Sequence, residues 1–154
     1  MKRVWVLLAV LSLGGALAFG PNNPSVALRG GYAGGAAFGL EASWDCRFYT
    51  PPVGALRPTL DLGYALGGVD ASFGMRYLAS LPTLEGLRVG GGAGVGHAQD
   101  FYAYVRADAE FDLDVGTLPL PAFIGFDAGY AIPFKADSKG LQGFFAAVKF
   151  GLRF

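Results

Sequence analysis

The chain has 154 residues, 53% hydrophobic and 16% charged, with 12 Lys+Arg against 12 Asp+Glu and a mean hydropathy of +0.40. That length allows one domain with or without a targeting segment, and the apolar excess excludes a disordered chain. Balanced charge leaves no basic surplus for nucleic acid, and a single Cys excludes a disulfide framework or a cysteine-built zinc site.

Residues 1–18, MKRVWVLLAVLSLGGALA, read as a signal peptide. Lys2 and Arg3 form the positive start, Val4–Leu13 the apolar stretch, and Ala16-Leu17-Ala18 the small-residue cleavage site. The remaining domain is therefore expected to span 19–154, beginning at Phe19. A membrane-spanning helix would need ~20 consecutive apolar residues. Beyond the N-terminus the longest charge-free stretch is the 12 residues Val115–Phe126, interrupted by two prolines and two glycines.

The order of residues after position 24 follows a period of two, the mark of a strand with different environments on its two faces. Ser25–Ala33 is a weak segment around Arg29. Ala36–Phe48 puts Phe38, Leu40, Ala42, Trp44, Cys46 and Phe48 on one face and Glu41, Ser43, Asp45 and Arg47 on the other. Ala55–Leu66 separates its leucines and Tyr64 from Arg57, Thr59 and Asp61. Val69–Leu78 separates Val69, Phe73, Met75 and Tyr77 from Asp70, Ser72 and Arg76.

Leu87–His97 is a second weak segment, around Arg88, with Gly90, Gly92, Gly94 and Gly96 on the polar parity. Phe101–Asp114 alternates completely: Tyr102, Tyr104, Arg106, Asp108, Glu110, Asp112 and Asp114 lie opposite an unbroken apolar row. Leu118–Ile132 sets Asp127 and small residues against Leu120, Ile124, Phe126 and Tyr130. Leu141–Phe154 sets Lys149 and Arg153 against Phe144, Val148, Phe150, Leu152 and Phe154. All 17 charged residues of these eight segments fall on the non-apolar face. A helical period would mix Arg106, Asp108 and Glu110 with the apolar set.

Turn residues mark the connections: Gly34-Gly35, Thr50-Pro51-Pro52, Gly67-Gly68, Leu81-Pro82, Ala98-Gln99-Asp100, Gly116 and 136–140. Such short links predict antiparallel neighbours in an all-β, up-and-down, closed eight-stranded barrel. Parity alone does not say which face points inward. A soluble lipocalin-type barrel keeps its apolar face inside, and a membrane barrel turns it to lipid. Three features favour the second arrangement.

Aromatic residues sort to two rims of the apolar face, with Trp44, Phe48, Phe111 and Phe150 near one and Tyr32, Tyr64, Phe101, Tyr130 and Phe144 near the other. The polar face is glycine-rich and carries 8 basic and 9 acidic residues, a balance suited to a self-neutralising lumen. Its expected network is Arg29, Glu41, Asp45, Arg57, Asp61, Asp70, Arg76, Arg88, Arg106, Asp108, Glu110, Asp112, Asp127, Lys149 and Arg153. Third, the chain ends in LQGFFAAVKFGLRF. Its alternating Phe144, Ala146, Val148, Phe150, Leu152 and terminal Phe154 resemble the assembly signal of bacterial outer-membrane barrels.

With the export segment and eight strands, residues 19–154 resemble the small outer-membrane barrels of the OmpA/OmpX type. The resemblance implies a transmembrane β-barrel integral to the outer membrane, monomeric and without a cofactor. It implies outer-membrane lipids, periplasmic chaperones and the barrel-assembly machinery as partners. Both termini would face the periplasm, and the loops near 33–35, 67–68, 98–100 and 133–140 would face outward. Those loops are short for such barrels, which argues against a loop-borne adhesin or phage-receptor role.

Some barrels of this class modify lipids, a chemistry that needs a His, a nearby Ser and an acid. His97, the sole His, lies on the apolar parity, whereas Ser43 and Ser72 lie on the polar one. Gln99 stands where a lipid A deacylase would carry the Ser of its H-x-S spacing. A triad needs nucleophile and base within hydrogen-bond reach, and no catalytic site is expected. The acidic row Asp108–Asp114 suggests a cation site, but alternate strand residues stand ~6.6 Å apart; ion pairs with the lumen cations are the expected use, and no metal site is predicted. The expected function is a non-enzymatic barrel with an envelope structural or small-ligand role. The alternatives are a narrow ion-conducting pore lined by the glycines, a lipid-modifying enzyme and a secreted lipocalin-like binder.

Overall fold

The structure is a computed structural model that describes residues 22–46, 53–113 and 121–154. The predicted signal peptide 1–18 and start at Phe19 lie outside those residues. So do Arg47, Phe48, the 50–52 turn, Asp114, Gly116 and the first residues of the predicted 118–132 strand.

Eight strands follow in order: β1 Asn22–Ala33, β2 Ala36–Asp45, β3 Ala55–Ala65, β4 Gly68–Ser80, β5 Leu87–Ala98, β6 Asp100–Leu113, β7 Ala122–Pro133 and β8 Gly143–Arg153. Each pairs antiparallel with its sequence neighbour, and β1 pairs with β8 to close the barrel. Four hairpin connections gather at one end; the other end carries the remaining connections and the two ends of the described chain. These are called the hairpin end and the terminal end.

The turns follow local chemistry. Gly34, at φ 69°, opens the β1–β2 turn. The β3–β4 turn is centred on Leu66-Gly67 rather than Gly67-Gly68, with φ of 54° and 76°, the double left-handed geometry of a two-residue hairpin. Gln99 alone, at φ 63°, links β5 to β6. The β4 strand outruns its expected end because its ladder with β5 continues through Ala79↔Val89 and Ser80↔Arg88. The β8 strand starts later than expected: Leu141 leaves the sheet and is buried in the mouth of the barrel.

Burial is inverted relative to a water-soluble domain. Large apolar side chains point outward, with Leu28 64% and Val69 73% exposed, while Arg57 and Lys149 are 0% exposed inside. Tyr32, Tyr64, Phe101, Phe111, Tyr130, Phe144 and Phe150 are exposed on the outer wall, and Trp44 is half-buried. Phe73 and Phe126 also point outward, from the middle of their strands, so the band between the rims is not purely aliphatic.

The glycine row of β5 has a steric reason. A β-carbon at Gly94 would meet the Tyr104 ring at 2.6 Å, and one at Gly92 would meet the Arg76 β-carbon at 2.7 Å. The side chains of β4 and β6 lie across β5, and only a strand without side chains on that face admits them. Gly94→Ala should lower stability by about 1–3 kcal/mol, the usual cost of overpacking, seen as a lower urea midpoint. Gly30→Ala, on the outer wall with nothing within 4 Å of the added carbon, should not lower it.

Candidate functional site: a charge-filled lumen

Alternation along all eight strands delivers charged side chains to one enclosed volume, where they meet across the barrel rather than along it. The hub is Arg76 of β4 and Lys149 of β8. Arg76 reaches Glu41 at 2.8 Å, Glu110 at 2.8 Å and Asp108 at 3.0 Å. The Lys149 ammonium lies 3.0 Å from Asp108, 3.4 Å from Glu41, 3.5 Å from Asp127 and 3.7 Å from Glu110. Gly125, opposite Lys149 on β7, leaves the space through which the lysine stem passes: a β-carbon there would lie 3.1 Å from its Cε.

Toward the hairpin end, Arg106 adds contacts to Asp108 at 3.2 Å, Glu41 at 3.3 Å and Asp61 at 3.5 Å. Arg29 bridges Asp61 and Asp127 at 2.9 and 2.8 Å. Toward the terminal end, Arg57 pairs with Asp45 at 3.2 Å, Arg88 with Asp112 at 3.0 Å, and Arg153 with Glu110 at 2.8 Å and with Asp112. Two serine hydroxyls add to the ion pairs: Ser25 accepts from Arg57 and Ser43 from Arg76, each at 3.1 Å. Buried ions carry a desolvation penalty of several kcal/mol each, offset only by multiple close partners, and the hub supplies them.

Fourteen of the fifteen residues expected in the lumen network therefore share ion pairs. Asp70 is the exception: it accepts a hydrogen bond from the Tyr102 hydroxyl at 2.8 Å. Seven cations thus face eight carboxylates among the described residues of this set.

Two apolar elements of the lumen escaped the sequence reading. Phe123 is fully buried at the terminal end, with the Arg153 guanidinium 4.2 Å from its ring centroid. Gly151 leaves the room, since a β-carbon there would lie 2.5 Å from the Phe123 ring. At the hairpin end Phe145, Leu141 and Tyr104 close the mouth with Ala33, Ala65 and Ala131. Parity could have found both rings: Phe123 shares a face with Asp127, and Phe145 with Lys149.

The mouth is covered by the β7–β8 loop. The Asp100 carboxylate accepts from the Ser138 hydroxyl at 3.3 Å and the Lys139 amide at 3.2 Å, so the loop returns inward and seats Leu141. Beneath this cap and above Arg29 and Arg106 lies a cavity of about 70 Å³. Asp70, Ser72, Tyr102 and Tyr104 line one side; on the other, Gly31, Gly39 and Gly63 leave bare backbone.

The residues weighed for catalysis are not brought together. His97 is exposed on the outer wall, edge-on to Phe101 with ring centroids 4.9 Å apart, whereas Ser43 and Ser72 are buried in the lumen. Cys46 is a free, half-buried thiol at the terminal end. Asp108, Glu110 and Asp112 of β6 each hold cations from other strands, and among the described residues no three His, Cys, Asp or Glu form a metal-binding group.

No protein-family model matches the chain, and no curated protein matches it. Among solved structures it is similar to the N-terminal β-barrel domain of Pseudomonas aeruginosa OprF, with a TM-score of 0.56 and 17% identity. The match covers 88% of this chain and 99% of that one. At that identity the likeness concerns the fold, which is the same closed eight-stranded antiparallel barrel.

Proposed function

We propose that the chain is an integral outer-membrane β-barrel, non-enzymatic and monomeric, that serves the envelope as a structural element with a closed lumen. The observation that carries this reading is the inversion of burial. A wall presenting Leu28, Leu62, Val105 and Ile132 outward, around an interior of ion pairs, is unfavourable in water and favourable in hydrocarbon. The closed barrel leaves no unpaired strand edge to lipid, as a β-structure in a bilayer requires.

Lipids would contact the outer wall, and the alternating Phe150, Leu152 and Phe154 would present the chain to periplasmic chaperones and the assembly machinery after export by the signal peptide. The hairpin end would face outward. Envelope fractionation tests this directly. The protein should sediment with the outer membrane and migrate faster on a gel before boiling than after. Recovery as a soluble, detergent-independent protein would sink the reading in favour of a lipocalin-like binder.

The narrow-pore alternative draws no support from the hub. Arg76, Lys149, Glu41 and Glu110 are at most 1% exposed, and an eight-stranded interior is about filled by its own side chains. Purified barrels in planar bilayers should therefore show no reproducible conductance steps. The separation of His97 from Ser43 and Ser72 likewise supports a non-enzymatic role.

A further inference from the structure

We propose that the cavity beneath the hairpin-end cap binds a singly charged cation, either an alkali-metal ion or a primary ammonium group, with the Asp70 carboxylate as its counter-charge. Asp70 is the one carboxylate of the lumen network that touches no cationic side chain among the described residues; its partner is the Tyr102 hydroxyl. The nearby cations are committed elsewhere: Arg29 to Asp61 and Asp127, Arg106 to Glu41, Asp61 and Asp108. The second carboxylate at this mouth, Asp100, holds the β7–β8 loop. Among the described residues of the network, the carboxylate without a cationic partner is thus Asp70.

The space fits the charge. A cavity of about 70 Å³ exceeds the ~10–15 Å³ that admits one water, so a small ion can enter with part of its hydration shell. Asp70, Tyr102 and Ser72, each with a hard oxygen donor, all line it. The Tyr104 side chain also lines it. A divalent metal calls for several carboxylates, whereas one carboxylate matches one positive charge. Solvent reaches the site, because Asp70 itself is only half-buried.

This inference rests on the closed barrel and its cavity, not on membrane placement, so the two readings fail separately. The test uses the whole protein in detergent micelles, its fold verified by heat-shifted gel mobility. Potassium, sodium or methylammonium chloride replaces tetramethylammonium chloride at fixed ionic strength while backbone amide and Asp70 carboxyl resonances are followed. Saturable shifts confined to Asp70, Ser72, Tyr102 and their neighbours are expected, and the salt that saturates first identifies metal or ammonium. Asp70→Asn should weaken binding at least tenfold, and Tyr102→Phe should weaken it less. Saturation unchanged in Asp70→Asn would overturn the proposal. Should that variant not fold, the native protein still decides: an Asp70 carboxyl resonance unmoved by all three cations overturns it.

Discussion

Lys149→Met should destabilise the barrel by about 3–5 kcal/mol, the cost of stranding buried charges without their partner. Lys149 is 0% exposed and stands among Glu41, Asp108, Glu110 and Asp127. Methionine nearly fills its volume, so the loss reflects charge rather than a cavity. Adding Glu41→Gln should recover part of the stability, because it removes one of the carboxylates left in excess. Coupling above about 1 kcal/mol between the two changes is expected of residues sharing one network. Lys139→Met, on the exposed part of the β7–β8 loop, should stay within about 0.5 kcal/mol. Urea unfolding of the refolded protein, followed by the gel-mobility shift, measures all four. A Lys149→Met variant as stable as the native chain would show that the hub contributes nothing.

Leu28→Arg should cost about 2–4 kcal/mol in a lipid bilayer, the usual penalty for an arginine facing mid-membrane lipid. Leu28 lies near the middle of β1 and is 64% exposed on the wall. Val69→Arg, beside the β3–β4 turn and more exposed still, should cost no more than about 1 kcal/mol, because a charge near the interface reaches water. The contrast separates the environments. If the wall faced water, both substitutions would fall within about 0.5 kcal/mol, with no dependence on height along the strand. Unfolding in lipid vesicles gives the comparison, and equal small losses would remove the membrane reading.

Most of the architecture was legible because the side-chain period of a strand is two and the chain alternates strictly. Arg106, Asp108 and Glu110 declare one face, Val105, Ala107 and Ala109 the other, and eight such segments with short turns leave little choice of topology. Parity, however, says only inside or outside. It does not say that Lys149 meets Glu41, 108 residues away, because that depends on strand tilt and stagger around the closed wall. Asp70 looked no different from its neighbours in sequence; its lack of a cationic partner among the described residues emerges only when the lumen is assembled. Phe123 and Phe145 were hidden for another reason. A few inward aromatic rings do not disturb an alternation carried by charges, and glycines on the adjacent strands, Gly151 and Gly129, make their room. Leu141 escaped because its inward turn is set by the Asp100 anchorage of a loop, not by any periodicity.

The order of strand pairing also constrains how the molecule can form. Seven of the eight ladders join strands adjacent in sequence and can zip from their turns with little loop-closure entropy. The eighth, from Ser25↔Arg153 to Ala33↔Phe145, joins the first and last strands and cannot begin until β8 exists. Until then the free edge of β1 and the last completed strand expose rows of unpaired amides and carbonyls, adhesive in water and intolerable in hydrocarbon. A nascent chain must therefore be shielded along one seam until β8 has been made, and that seam is sealed last.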